Sequence, residues 1–251
     1  RPVLLLPEEE RTPAVFDAKS HEALVGRLSA MIPLACGSEG ILVAAVESAL
    51  RPIPPRDLFL RYAIQLAPGS RVDMEELKAD LFRMGYERTG FVEAKGQYSV
   101  RGGILDVFPP DRDHPCRIEL FDTEVDSLRA FDPVTQRSLG TLPEIRLFPA
   151  ALLVRSEFLC EQAATRIRDT HQAFAKKLPG DKRERLLAKA ERLREAIDTG
   201  INLQLLEHSM HYFYPEPTRL WDFMAPGGAV IVDDPDRVHE VLEAAEAEAH
   251  E

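Results

Sequence analysis

The stretch that most constrains the fold begins at Gly85 and reads GYERTGFVEAKGQYSVRGGILDVFPP. Tyr98, Val100, Ile104, Val107 and Phe108 are β-branched or aromatic residues at strand spacing, and Gly102-Gly103 interrupts them. A double glycine lets the backbone bend between two strands. Arg88 and Arg101 sit in these otherwise apolar, strand-prone surroundings. An arginine leaving a sheet beside a double glycine stands on a rigid support and can present its planar fork to a carboxylate or phosphate. The plainer reading of either one is a solvated surface charge flanking a bulge. Neither is expected in the core, so truncating either is expected to leave stability almost unchanged.

The period-two pattern continues from Tyr86 to Phe148, and Asp122-Thr123 between Arg117–Phe121 and Val125–Leu128 predicts a tight hairpin. Just upstream, Asp73 can cap a helix carrying Leu77, Leu81 and Met84 on one stripe, and Gly85 terminates it. The central region is therefore a small antiparallel β domain with one helix. Before it, Val3 to Leu6 is a short apolar run suited to a buried strand of a parallel sheet, Ser20 opens a helix with Leu24, Leu28 and Met31 on one face, and Ile41 to Val46 is a second apolar run. Strand, helix, strand is the rhythm of a parallel α/β sheet. After it, Ser156 to Ile197 is helical and charged, broken at Leu178-Pro179-Gly180. Its second half alternates Lys182, Arg183, Arg185, Lys189, Arg192 and Arg194 with Glu184, Glu191 and Glu195, which reads as a solvated hairpin laced with i,i+4 pairs rather than a nucleic-acid surface. Ala229 to Val232 predicts a buried return strand, and Asp236 to Ala249 a closing helix. The fold class is α/β: a partial parallel-sheet domain over 1–69, an inserted β-rich domain over 70–150, and a helical segment with a returning strand and helix over 151–251.

The net charge of −11 argues against a general nucleic-acid binder, because neutralising phosphates needs clustered Lys and Arg. Cys36, Cys116 and Cys160 are odd in number and in no metal-ligand spacing, which fits unpaired thiols in a reducing cytoplasm. No apolar run approaches the roughly 20 residues of a membrane span, and no membrane partner is expected. The chain opens with Arg1-Pro2-Val3, so it is expected to be a piece of something longer. Asp233-Asp234 after an apolar run resembles a magnesium-holding acid pair, but no G-x-x-x-x-G-K-[ST] loop exists to cradle a triphosphate, so these acids are expected to end a strand and cap a helix. His208 and His211 lack acidic or cysteine partners at ligand spacing, and Tyr212, Phe213, Tyr214 and Trp221 are expected to anchor packing. No catalytic residue, cofactor site or metal site is expected in this chain.

The Gly85 stretch, together with RIELFDTEVDSLRAFDPVTQRSLGTLPEIRLFPA from Arg117 to Ala150, resembles the inserted β-rich domain shared by UvrB and the bacterial transcription-repair coupling factors. The continuation TQRSL, Thr135 to Leu139, is similar to the coupling factors rather than to UvrB, whose Asp-Pro runs into a Thr-Gly turn. The resemblance is family-specific over about residues 70 to 150 and fainter outside. It implies a degenerate RecA-like α/β domain, truncated at its N-terminus, with no ATPase activity of its own. It also implies docking of UvrA through Arg88, Arg101, Arg117 and Glu119, in a cytoplasmic parent that acts in transcription-coupled nucleotide excision repair. That parent's ATP- and magnesium-dependent motor, and its contacts with RNA polymerase and DNA, would lie in other domains. UvrB usually has a second arginine where this chain has Ser99, so the contact set is not identical. The alternatives are a fragment of a UvrB-type damage-binding subunit, which needs a P-loop and an aromatic-tipped hairpin, and a free-standing scaffold without affinity for UvrA.

Overall fold

The computed structural model describes residues 2–7, 18–51, 53–200, 203–216 and 218–250, and the fold mixes helix and sheet. The loop after Pro7, Pro52 and the side chain of Ser20 lie outside the described set. The chain begins with β1 (Val3–Leu6), α1 (Ala18–Ala35) and β2 (Ile41–Ala44), and β1 pairs with β2 in parallel. Short helices α2 (Val46–Ala49) and α3 (Arg56–Arg61) lead to β3 (Ile64–Leu66). Leu28 and Met31 of α1 are fully buried against this end of the molecule, as their shared helical face requires.

Next come α4 (Met74–Arg83), β4 (Glu87–Arg88), β5 (Gln97–Arg101), β6 (Ile104–Val107), β7 (Cys116–Phe121), β8 (Glu124–Phe131), β9 (Ser138–Thr141) and β10 (Ile145–Leu147). Strands β4 to β9 form a six-stranded sheet in sequence order, antiparallel except for the β4–β5 edge. Asp73 caps α4 by accepting the backbone N–H groups of Glu75 and Glu76 at 2.8 and 2.9 Å. Gly85 ends it at φ +88°, where a Cβ would lie 2.4 Å from the Cβ of Ala151. The hairpins turn at Gly102-Gly103 and Asp122-Thr123, with Gly102 and Asp122 in the left-handed region. Leu77 and Leu81 of α4 cover one face of the sheet, meeting Tyr98, Leu105, Val107, Cys116, Ile118 and Leu128. Outside this sheet, β3 pairs antiparallel with β10, so the chain enters and leaves the β domain through adjoining strands. Ser29 of α1 donates to the carbonyl of Pro110 at 2.5 Å, tying the domain to its surroundings, and within the domain Tyr86 donates to the carbonyl of Phe148 at 2.8 Å.

An antiparallel helical hairpin follows, α5 (Glu157–Ala175) and α6 (Gly180–Thr199), then α7 (Leu203–Glu207) and, at the end, α8 (Pro235–His250). Three sequence expectations need correction. Val3 and Leu5 form a strand as expected but are 67% and 64% exposed, because β1 pairs with β2 alone among the described strands and one face of that ribbon stays open. Ala229 to Val232 is coil rather than a buried strand; Ile231 is 91% exposed. A β-prone run becomes a strand only when another strand takes its backbone groups, and no described strand does. On α6 the expected lacing is sparse: Arg194–Glu191 at 3.4 Å is the ion pair formed within it among the described residues.

Candidate functional site

The six-stranded sheet has one greasy face and one polar face, and the alternation of β5 to β8 decides which side chains share the polar one. Register places Ser99, Asp106, Arg117 and Arg129 in one row across the strands, and Arg101, Ile104, Glu119 and Ser127 in the next. Arg101, Arg117 and Glu119 are thereby brought together. Arg88 is not: on edge strand β4 it is in register with Tyr98, whose ring belongs to the core on the other face. Arg88 is exposed, and its side chain forms no hydrogen bond or ion pair with a described residue.

The centre of the polar face is Asp106, which the sequence reading did not single out. It is 1% exposed. Arg117 binds it bidentately, Nε to Oδ1 at 2.7 Å and Nη2 to Oδ2 at 2.9 Å, and Nη2 of Arg101 reaches Oδ2 at 3.0 Å. This bond to Asp106 outweighs burial and holds the Arg117 guanidinium above its usual pKa. Each arginine also lies over an aromatic ring: Arg101 is 5.0 Å from the Phe91 centroid and Arg117 is 4.8 Å from that of Phe131. The expectation that Arg101 is a free surface charge is therefore corrected, since it shares a buried counter-ion. Its side chain is still 46% exposed, against 23% for Arg117.

Glu119 is held separately. Its Oε2 accepts from Ser127 at 2.6 Å and lies 3.8 Å from Nη2 of Arg129. Ser99, the position where UvrB usually has arginine, is buried and donates to the carbonyl of Gly90 at 2.9 Å, pinning the loop that carries Phe91. In the Phe131-Asp132-Pro133 turn, Oδ1 of Asp132 accepts from the N–H groups of Val134 and Thr135 and from the Thr135 hydroxyl. Those bonds to Thr135 hold the Asp132 carboxyl below its usual pKa. The same turn sets Gln136 at φ +59°, with Oε1 3.5 Å from Nη2 of Arg117. Phe91 and Phe121 remain 60% and 81% exposed, so the polar face is rimmed by apolar rings.

This arrangement is a scaffolded set of charges, suited to recognition of another surface. Residues 64–153 match the family model described as the UvrB interaction domain, a span that contains every strand of this face. Over 100% of its length the chain is 35% identical to a transcription-repair-coupling factor of Bacillus subtilis (strain 168). It is 29% identical over 90% of its length to one of Staphylococcus haemolyticus, and 27% over 93% to one of Staphylococcus aureus (strain MRSA252). This chain carries a UvrB interaction domain and is a relative of the transcription-repair-coupling factors. It spans about a fifth of those relatives' length, 21% of the Bacillus subtilis protein. The polar face of the UvrB interaction domain, with Asp106 at its centre, is its candidate functional site.

The other sequence candidates lie elsewhere. Phe213 and Tyr214 are buried in the core, with burial lifting the Tyr214 hydroxyl well above its usual pKa, whereas Trp221 is 57% exposed. His211 packs 4.0 Å from Tyr212, and burial, with Lys189 and His171 nearby, lowers its pKa. Asp234 accepts from the N–H of Arg237 at 3.2 Å and so caps α8. No described helix is long and apolar enough to cross a membrane.

Proposed function

We propose that this chain is a UvrA-docking module of a transcription-repair-coupling factor and takes part in transcription-coupled nucleotide excision repair. The observation that carries this reading is the polar face built on Asp106: arginines fixed by a buried carboxylate and by ring stacking, on a rigid sheet, inside the matched UvrB interaction domain. Preorganised side chains lose little entropy on binding, and charges at the rim speed encounter. Arg101 is the principal contact, Arg88 a second contact at the β4 edge, and Arg117 with Glu119 complete the face. The module itself binds no nucleotide and performs no catalysis. ATP, magnesium, RNA polymerase and DNA are handled by other parts of a longer cytoplasmic protein. The parallel β1–β2 pair, with α1 between its strands in sequence, supports reading the first segment as part of a degenerate RecA-like α/β domain.

The test is a calorimetric titration of the chain with purified UvrA. Saturable binding that weakens strongly in a folded Arg88→Ala/Arg101→Ala double variant is expected. No heat of binding from the folded wild-type chain sinks the reading, and undiminished affinity in the double variant moves the docking site elsewhere.

A further inference from the structure

We propose that Asp106 is the positioning residue of the polar face, and that the ligand its arginines receive is a partner's side-chain carboxylate arriving at the open edge of Arg101. This rests on the docking reading above. Asp106 is 1% exposed, and both of its oxygens are engaged by guanidinium groups. A buried carboxylate needs such partners, because the surrounding protein replaces its hydration poorly. The two arginines divide the work. Arg117 commits Nε and Nη2 to Asp106, lies over Phe131 and is 23% exposed, so it mainly neutralises.

Arg101 gives Asp106 only Nη2, while its Nε and Nη1 bond no described residue. Asp106 on one side and the Phe91 ring beneath fix its orientation, and Ser99 holds the Phe91 loop through Gly90. Two guanidinium groups against one carboxylate leave one positive charge at the surface, and it sits on the presented fork of Arg101. Nη2 carries a second N–H, and a carboxylate fits bidentately on the edge that this N–H shares with Nε or with Nη1. Glu119 on the same face, and the exposed rings of Phe91 and Phe121, disfavour a doubly charged phosphate and favour an acidic side chain set beside apolar ones on a protein surface.

The first experiment needs no partner. In proton–nitrogen NMR spectra of the 251-residue chain, the Arg117 Nε–H should be slowly exchanging and shifted away from solvated arginines. Asp106→Asn should return it to the solvated position, and an unchanged Nε–H in the folded variant overturns the positioning role. The second is titration with UvrA. Asp106→Asn should weaken binding about tenfold or more, chiefly through faster dissociation. Arg101→Lys, which keeps the charge but loses the fork, should weaken it comparably, and wild-type affinity there overturns the carboxylate receptor. Should Asp106→Asn fail to fold, Phe91→Ala changes an exposed ring; about fivefold weaker binding at an unaltered melting temperature is expected from lost stacking, and undiminished affinity counts against the proposal. If the Nε–H depends on Asp106 but the wild-type chain does not bind UvrA, the positioning role stands while the docking reading and its carboxylate ligand fall.

Discussion

Asp106 makes the arginines unequal, and single substitutions should show it. Arg117→Ala strips a buried carboxylate of two charge-assisted bonds and should cost about 3 kcal/mol of folding stability, the range for breaking a buried pair. A urea unfolding curve measures this; a loss under 1 kcal/mol would mean that water or Arg101 replaces those bonds. Arg88→Ala removes a side chain with no bond to a described residue, so its midpoint should stay put while UvrA affinity falls by about 2 kcal/mol, seen mainly in the dissociation rate. Loss of UvrA binding accompanied by a matching loss of stability would assign Arg88 to the fold. The thiols should also separate. Cys116 is buried, its pKa pushed up to about 12, whereas Cys36 is exposed. Native protein at pH 8 should therefore be alkylated at Cys36 and spared at Cys116 until denaturant is added, with peptide mass mapping as the readout.

At the scale of elements, glycine fixes where the β domain turns. Gly85 is left-handed and abuts Ala151, so Gly85→Ala should destabilise by about 2 kcal/mol or more through backbone strain plus the clash, with thermal unfolding as the check. A near-neutral result would mean that Ala151 yields freely. The hairpin of α5 and α6 shows what chain alternation conceals. Lys182, Arg185, Lys189 and Arg192 recur at helical spacing on one stripe, with Asp181, Glu184, Glu191 and Glu195 on another. Opposite charges one or two residues apart diverge around the helix, whereas Asp181 with Arg185 and Arg192 with Glu195 stand at facing spacings and still form no ion pair, as solvated surface charges often do. The cations of that stripe form no ion pair with a described residue. Four cations on a chain of charge −11 should still bind duplex DNA no tighter than about 1 μM at physiological salt, the non-specific range. Fluorescence anisotropy with a labelled duplex tests this, and submicromolar affinity lost on reversing Lys182, Arg183 and Arg185 would show a true nucleic-acid surface.

For the molecule as a whole, the structure joins a β domain to helical and α/β surroundings through β3, β10 and the Ser29–Pro110 bond, keeping the polar sheet face outward. What the sequence by itself determined was local. The Asp73 cap, the Gly85 stop, the Gly102-Gly103 and Asp122-Thr123 turns and the two charged helices each depend on dihedral preferences and spacings within a few residues. Arg101, Arg117 and Glu119 were nameable because family resemblance preserves such strings. Tertiary structure alone decided three things. It buried Asp106 beneath two arginines, because three strands had to pair in register before those side chains could meet. It set Arg88 apart, because the β4 register pairs it with Tyr98. It left Val3, Leu5 and Ile231 exposed, because an apolar strand pattern specifies a wish for burial but not the neighbour that supplies it. Periodicity is a property of one segment; burial and charge pairing belong to segments in contact, so they exist only once the sheet does.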